Sequence, residues 1–124
     1  ENSHFSNPMG FDSPGNYSTA EDLLKLVLAT QKYAAFTQLG KKTSYSFLSE
    51  SGNTYKTTAT DKLVGKYDEI EAIKTGFTKG AGQAMITKAT EDGHSIIILV
   101  LDSKNREGDT LQLERQVFEK AVWE

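Results

Sequence analysis

The chain has 124 residues and a mass of 13.7 kDa, room for one domain of the usual size of about 100–200 residues and for one core. Lys and Arg total 14 against 17 Asp and Glu, a net charge of −3 with a pI near 5.4 and no basic block, which argues against a nucleic-acid partner. Zero cysteine excludes disulfides, thiolate metal sites and a cysteine nucleophile, and 37% hydrophobic with 25% charged residues is a globular composition.

The first residue is Glu1 rather than methionine, so a processed or excised segment is expected. The longest apolar run, Ile96 to Leu101, is far shorter than the roughly 20 residues that span a bilayer. With no basic and apolar leader before it, no signal or transmembrane segment is expected here.

Residues Glu1 to Asn16 carry Asn7-Pro8, Gly10 and Ser13-Pro14-Gly15, a density of turn formers that predicts an ordered loop, pinned by Phe5 and Phe11. Ser18 and Glu21 make a capping box. Leu23, Leu24, Val27, Leu28 and Gln31 then recur at helical spacing. A second short helix, Tyr33 to Leu39, is expected to end at Gly40 as a left-handed cap. Thr43 to Phe47 and Thr54 to Thr58 read as a hairpin around Ser51-Gly52-Asn53, followed by a turn or helical stub over Thr60 to Gly65. Ile70 to Phe77 and Gln83 to Thr90 read as strands joined by Lys79-Gly80-Ala81-Gly82, and Asp92-Gly93 closes the next hairpin. The nearly continuous apolar strand Ser95 to Leu101 needs cover on both faces. A last helix, capped by Asp109 or Thr110 with a stripe of Leu113, Val117 and Ala121 beside Phe118 and Val122, is expected to supply it. The fold class is α+β, an antiparallel sheet flanked by helices.

Lys74-Thr75-Gly76 lies inside a predicted strand. This triplet accompanies Ser-x-x-Lys and a Ser-x-Asn element in class A β-lactamases and penicillin-binding proteins. The blocks around it agree in order and spacing: His4-Phe5 with Asn7-Pro8 and Gly10, Tyr17-Ser18-Thr19-Ala20 opening a helix, Ile73 to Thr78 with Ala81-Gly82, and Asn105-Arg106 after the apolar strand. Nearly end to end, the chain resembles the D-alanyl-D-alanine carboxypeptidases of the low-molecular-mass penicillin-binding proteins. The His-Phe-x-Asn-Pro-x-Gly opening and the lack of a hydrolytic-water Glu motif favour this family over β-lactamases.

The resemblance implies a partial transpeptidase-like fold and a serine acyl-transfer enzyme that removes the terminal D-alanine of peptidoglycan pentapeptides outside the cytoplasmic membrane. β-Lactams would bind the full-length parent. Lys74 would assist proton movement and attract the substrate carboxylate. Thr75 would offer its hydroxyl to that carboxylate, Gly76 would let the substrate backbone lie against the strand, and Thr78 would join them in substrate binding. Phe77 would lend its backbone N–H to the oxyanion hole, and Arg106 would grip the carboxylate. His4 and Asn7 read as structural. Where many relatives carry Asn-Thr-Asn, this chain has Ala59-Thr60-Asp61 before Lys62-Leu63, which leaves that segment without an assigned role. No metal or organic cofactor is expected, since His4 and His94 lie in different elements without ligand spacing.

No serine has a lysine three residues later. Ser51-Gly52-Asn53 is a Ser-x-Asn string, but it follows the His-Phe-x-Asn-Pro block instead of preceding it, so it reads as a hairpin turn. The chain is therefore expected to be the C-terminal portion of the catalytic domain, inactive alone, and to self-associate or pair with a complementary N-terminal fragment. The alternatives are a non-catalytic peptide-binding or interaction module of the same fold, and a β-lactamase-related hydrolase.

Overall fold

A computed structural model describes residues 2–123. Its centre is an antiparallel meander of β3 (Ile70–Thr78), β4 (Gly82–Glu91) and β5 (His94–Ser103), in that spatial order. Asp92 and Gly93 close the second hairpin with φ of 48° and 84°, the paired left-handed geometry that matches strand twist. Between Ala72 and Lys74 the β3–β4 register shifts, leaving Ile73 as an extra residue. Ala72 pairs with Thr87, whereas Lys74 pairs with Ile86 and Thr75 with Met85. A one-residue shift reverses the faces. Lys74 therefore leaves the face occupied by Ala72 and Thr87, and Thr75 takes its place opposite Met85.

The core lies on the Met85 face, where Ile70, Met85, Ala89, Ile98 and Val100 join Leu63 and Val64. Helix α3 (Arg106–Lys120) covers it with Leu111 and Phe118, and the buried Thr110 hydroxyl donates to the Met85 sulfur at 3.5 Å. This helix starts before the expected Asp109 or Thr110 cap. Asn105 is the N-cap, its side-chain oxygen accepting from the Gly108 N–H at 3.2 Å. Asparagine caps as well as aspartate does. With the start moved, the packed positions become Thr110, Leu111, Glu114 and Phe118, while Leu113 and Val117 of the expected stripe are exposed and Val122 is 91% exposed. Helix α1 (Ala20–Thr30) lies against β5 and buries Val27.

Thr19 rather than Ser18 caps α1, accepting from the Asp22 N–H at 3.2 Å. Ser18 instead meets the Ser3 hydroxyl at 2.8 Å, and Asp22 accepts from the Ser3 hydroxyl and the Asn2 N–H. These bonds hold the Asp22 carboxyl below its ordinary pKa. Glu1 lies outside the described residues. The predicted N-terminal loop is fastened by polar bonds, not by Phe5 and Phe11, which are 62% and 63% exposed. His4 exchanges backbone bonds with Tyr17, and Asn7 both accepts from the Phe11 N–H and donates to its carbonyl.

Helix α2 (Ala34–Leu39) ends at Gly40, but with a right-handed φ of −60° instead of the expected left-handed cap. Close approach is what requires glycine here: a Cβ would sit 2.8 Å from the Ala72 carbonyl oxygen, while Gly40 itself accepts from the Ala72 N–H. Strands β1 (Ser44–Leu48) and β2 (Thr54–Thr58) form a separate hairpin, exposed throughout, and Ser51-Gly52-Asn53 lies in its turn. Phe47 stacks on Tyr55 at 5.4 Å along it.

Between β2 and β3, Asp61 is 4% exposed, with one carboxyl oxygen accepting from the Leu63 N–H at 2.8 Å and the other without a partner among the described residues. Burial pushes this carboxyl above its ordinary pKa near 3.8; backbone bonds from Leu63 and Val64 pull the other way.

Two outcomes follow for stability. Gly40→Ala forces α2 away from β3 and should cost about 1–3 kcal/mol in urea unfolding, so an unchanged midpoint would refute the close approach. A carboxyl whose pKa is raised by folding stabilises below its unfolded pKa and loses that contribution as pH rises. Asp61→Asn keeps the acceptor for Leu63 and cannot ionise. Its urea midpoint should therefore gain on wild type between pH 4 and pH 7, and parallel profiles would contradict the assignment.

Candidate active site

The Lys74-Thr75-Gly76 triplet lies on β3, an edge of the three-stranded sheet. Lys74 is exposed and its ammonium donates to the Thr75 carbonyl. Thr75 is half-buried, and its hydroxyl meets that of Thr60. Gly76 pairs with Ala84, and a Cβ there would meet the Ala84 Cβ at an ordinary 3.7 Å. The Phe77 ring is 68% exposed, so its position on the strand is held by the backbone ladder rather than by ring burial.

Arg106, at the start of α3, is brought to the same strand. Its Nη1 donates to the Gly76 carbonyl at 3.0 Å, its Nε to Glu107 at 3.2 Å, and its backbone N–H to the Gln83 side chain at 3.2 Å. The Asn105 cap fixes where α3 begins and hence where this guanidinium enters. Thr78, at the strand end, donates its hydroxyl to Asp12 and accepts from the Ala81 N–H at 3.0 Å; Asp12 also accepts from the Gly80 N–H at 3.1 Å. The N-terminal loop is thereby clamped to the β3–β4 turn. Arg106 is thus brought to the strand that carries Lys74, Thr75, Gly76, Phe77 and Thr78, with the Lys74 and Thr75 side chains on opposite faces of it.

An open cavity of about 480 Å³ adjoins Thr75, between α2, the β1–β2 hairpin and β3. Phe36, Leu39, Ala72 and Ile73 give it apolar walls, and Lys42, Thr60 and Asp61 give it polar ones. The arrangement presents an edge strand, one mobile-stemmed ammonium, one hydroxyl pair and one guanidinium, a set suited to holding an extended peptide with a terminal carboxylate.

Three participants escaped the sequence reading. Thr60 lies where many relatives carry Asn-Thr-Asn, but the segment was left without a role, because its contact with Thr75 spans 15 residues. The Asp61-x-Leu63 spacing of a side-chain turn was a usable signal. Asp12 lies in a loop full of polar residues, and nothing in its neighbours distinguishes it.

Residues 1–105 match the family profile described as D-alanyl-D-alanine carboxypeptidase. The chain is 31% identical over 104 residues to an Escherichia coli D-alanyl-D-alanine endopeptidase, covering 82% of this chain and 33% of that protein. It is 30% identical over 112 residues to the Salmonella typhimurium D-alanyl-D-alanine carboxypeptidase DacD, covering 87% and 27%. The crystal structure of a Streptomyces DD-transpeptidase is similar with a TM-score of 0.87 and 27% identity, over 96% of this chain and 48% of that one. Listeria monocytogenes penicillin-binding protein D2 in its cefotaxime-bound form gives a TM-score of 0.69 and 26% identity, over 90% and 45%. The chain therefore spans about a third or less of these curated relatives and about half of these solved structures. With its antiparallel sheets and flanking helices in the penicillin-binding transpeptidase and carboxypeptidase fold, the chain belongs to the D-alanyl-D-alanine carboxypeptidase family.

Proposed function

We propose that this chain supplies the substrate-holding strand of a serine-type D-Ala-D-Ala carboxypeptidase that trims the terminal D-alanine from peptidoglycan pentapeptides through an acyl-enzyme, outside the cytoplasmic membrane. The observation that carries this reading is the Lys74-Thr75-Gly76 triplet on an edge strand with the Arg106 guanidinium 3.0 Å from the Gly76 carbonyl. An acyl transfer needs a nucleophile, a proton acceptor, oxyanion donors and a grip on the substrate. In this reading the chain provides the last two in part. The stem peptide lies along β3 past Gly76, and the Phe77 N–H faces the developing oxyanion. Thr75 and Arg106 take the terminal carboxylate. Two of the five guanidinium N–H donors are engaged by Gly76 and Glu107, and the others are those offered to the substrate. The Lys74 ammonium moves a proton near the Ser-x-Asn serine, while Thr78 holds the end of the strand at its Asp12 clamp.

The nucleophile and the Ser-x-Asn serine come, in this proposal, from polypeptide outside these 124 residues, which form the C-terminal part of the catalytic domain. Support comes from the lack of any Ser-x-x-Lys string and from the placement of Ser51-Gly52-Asn53 in an exposed hairpin turn. A missing nucleophile leaves only residual catalysis from binding and oxyanion contacts. The 124-residue chain is thus expected to release no D-alanine and to retain no labelled penicillin through denaturation; a retained label would refute this division of labour.

The same division predicts association. β5 and β3 are both sheet edges, and an unpaired edge is a template for another strand. Light scattering at rising concentration should show self-association, or a complementary N-terminal fragment should suppress it. A monodisperse monomer at high concentration that ignores the fragment would count against the proposal.

A further inference from the structure

The Thr75 hydroxyl does not stand alone at the cavity edge: it meets the Thr60 hydroxyl, delivered from the segment that follows β2. Thr60 is the residue just before the buried Asp61 turn, in which the Asp61 carboxyl accepts from the Leu63 N–H and Leu63 and Val64 enter the core. Its backbone is therefore fixed by burial of its neighbours, although the threonine itself is exposed.

A hydroxyl carries one proton and accepts at two lone pairs. If Thr75 donates to Thr60, it has nothing left for a carboxylate, which only accepts. If Thr60 donates to Thr75, the Thr75 proton stays available and is polarised by the incoming bond. We propose that Thr60 is a positioning residue that donates to the Thr75 hydroxyl and so directs the single Thr75 proton toward the terminal carboxylate of the bound peptide. This inference rests on the peptide-holding role proposed above for β3.

The test uses the whole chain, isotope-labelled, titrated by NMR with an acetylated D-alanyl-D-alanine dipeptide and separately with its C-terminal amide, which lacks the charge. Wild type should prefer the acid. Thr60→Val, which keeps the shape and removes the hydroxyl, should weaken acid binding about three- to tenfold and leave the amide unchanged. Thr60→Ser should restore the acid affinity, and Thr75→Val should weaken the acid at least as much as Thr60→Val does, the remaining preference coming from Arg106. A loss of structure would instead weaken both ligands together with the Gly76 and Phe77 shifts, and Thr60→Ser would not repair it; that pattern overturns the positioning role. An acid affinity unchanged in Thr60→Val overturns it too while leaving the β3 reading intact. A wild-type chain that does not distinguish acid from amide removes the reading itself and this inference with it.

Discussion

One inserted residue governs the candidate site. Ile73 interrupts the β3–β4 ladder between Ala72 and Lys74, and because strand side chains alternate with a period of two, everything after it changes face. Without the bulge, Lys74 would share the face of Ala72 and the buried Thr87. With it, the lysine is exposed and Thr75 falls opposite Met85 at the cavity edge. Half-burying an ammonium costs more than half-burying a hydroxyl, so the bulge and the charge are mutually consistent. The first half of β3 serves the core with Ile70, and the second half serves the surface with Lys74 and Phe77.

Carboxylates do at the margins what apolar packing does at the centre. Asp22 ties the N-terminal residues to the first turn of α1, Asp12 ties the loop to the β3–β4 turn, and Asp61 closes the turn that feeds Leu63 and Val64 into the core. The first two carboxylates are bound by protein donors in exposed or half-buried places. Asp61 differs because one of its oxygens is buried without a partner among the described residues, and an acceptor in that state favours the protonated form. Its neighbours Arg106 and Glu107 bear on it with opposite sign, which links the core turn electrostatically to the guanidinium that reaches Gly76.

The order of strands and the hairpin turns were legible because local chemistry dictates them: Asp92-Gly93 demands a tight left-handed turn, and the alternation of Tyr45 and Phe47 with serines demands an extended strand. Boundaries that depend on a choice between neighbouring caps were not. Ser18 and Thr19 are equivalent on paper, as are Asn105 and Asp109, and only the helix phase that buries Thr110 and Phe118 decides between them. Gly40 carried a correct signal for a helix end with the wrong cause, since the approach of the Ala72 carbonyl is a tertiary fact. The placement of Lys74-Thr75-Gly76 on a strand was legible as a motif, whereas Thr60 and Asp12 make contacts across 15 and 66 residues of sequence, a distance over which periodicity carries no information.

In the proposed function β3 accepts a peptide, and such an edge strand cannot be fixed by another strand on that side, because the neighbour would occupy the binding face. β3 is held instead by β4 on one side and by three side-chain tethers near the triplet: Thr60 at Thr75, Arg106 at Gly76, and Asp12 at Thr78. The tethers come from the segment after β2, the start of α3 and the N-terminal loop, so three separate parts of the chain converge on one short stretch. Each restrains a single polar atom of β3 itself and adds no backbone ladder. The strand is thereby kept extended and ordered while its outer edge stays open, which lowers the ordering cost that a bound peptide would otherwise have to meet.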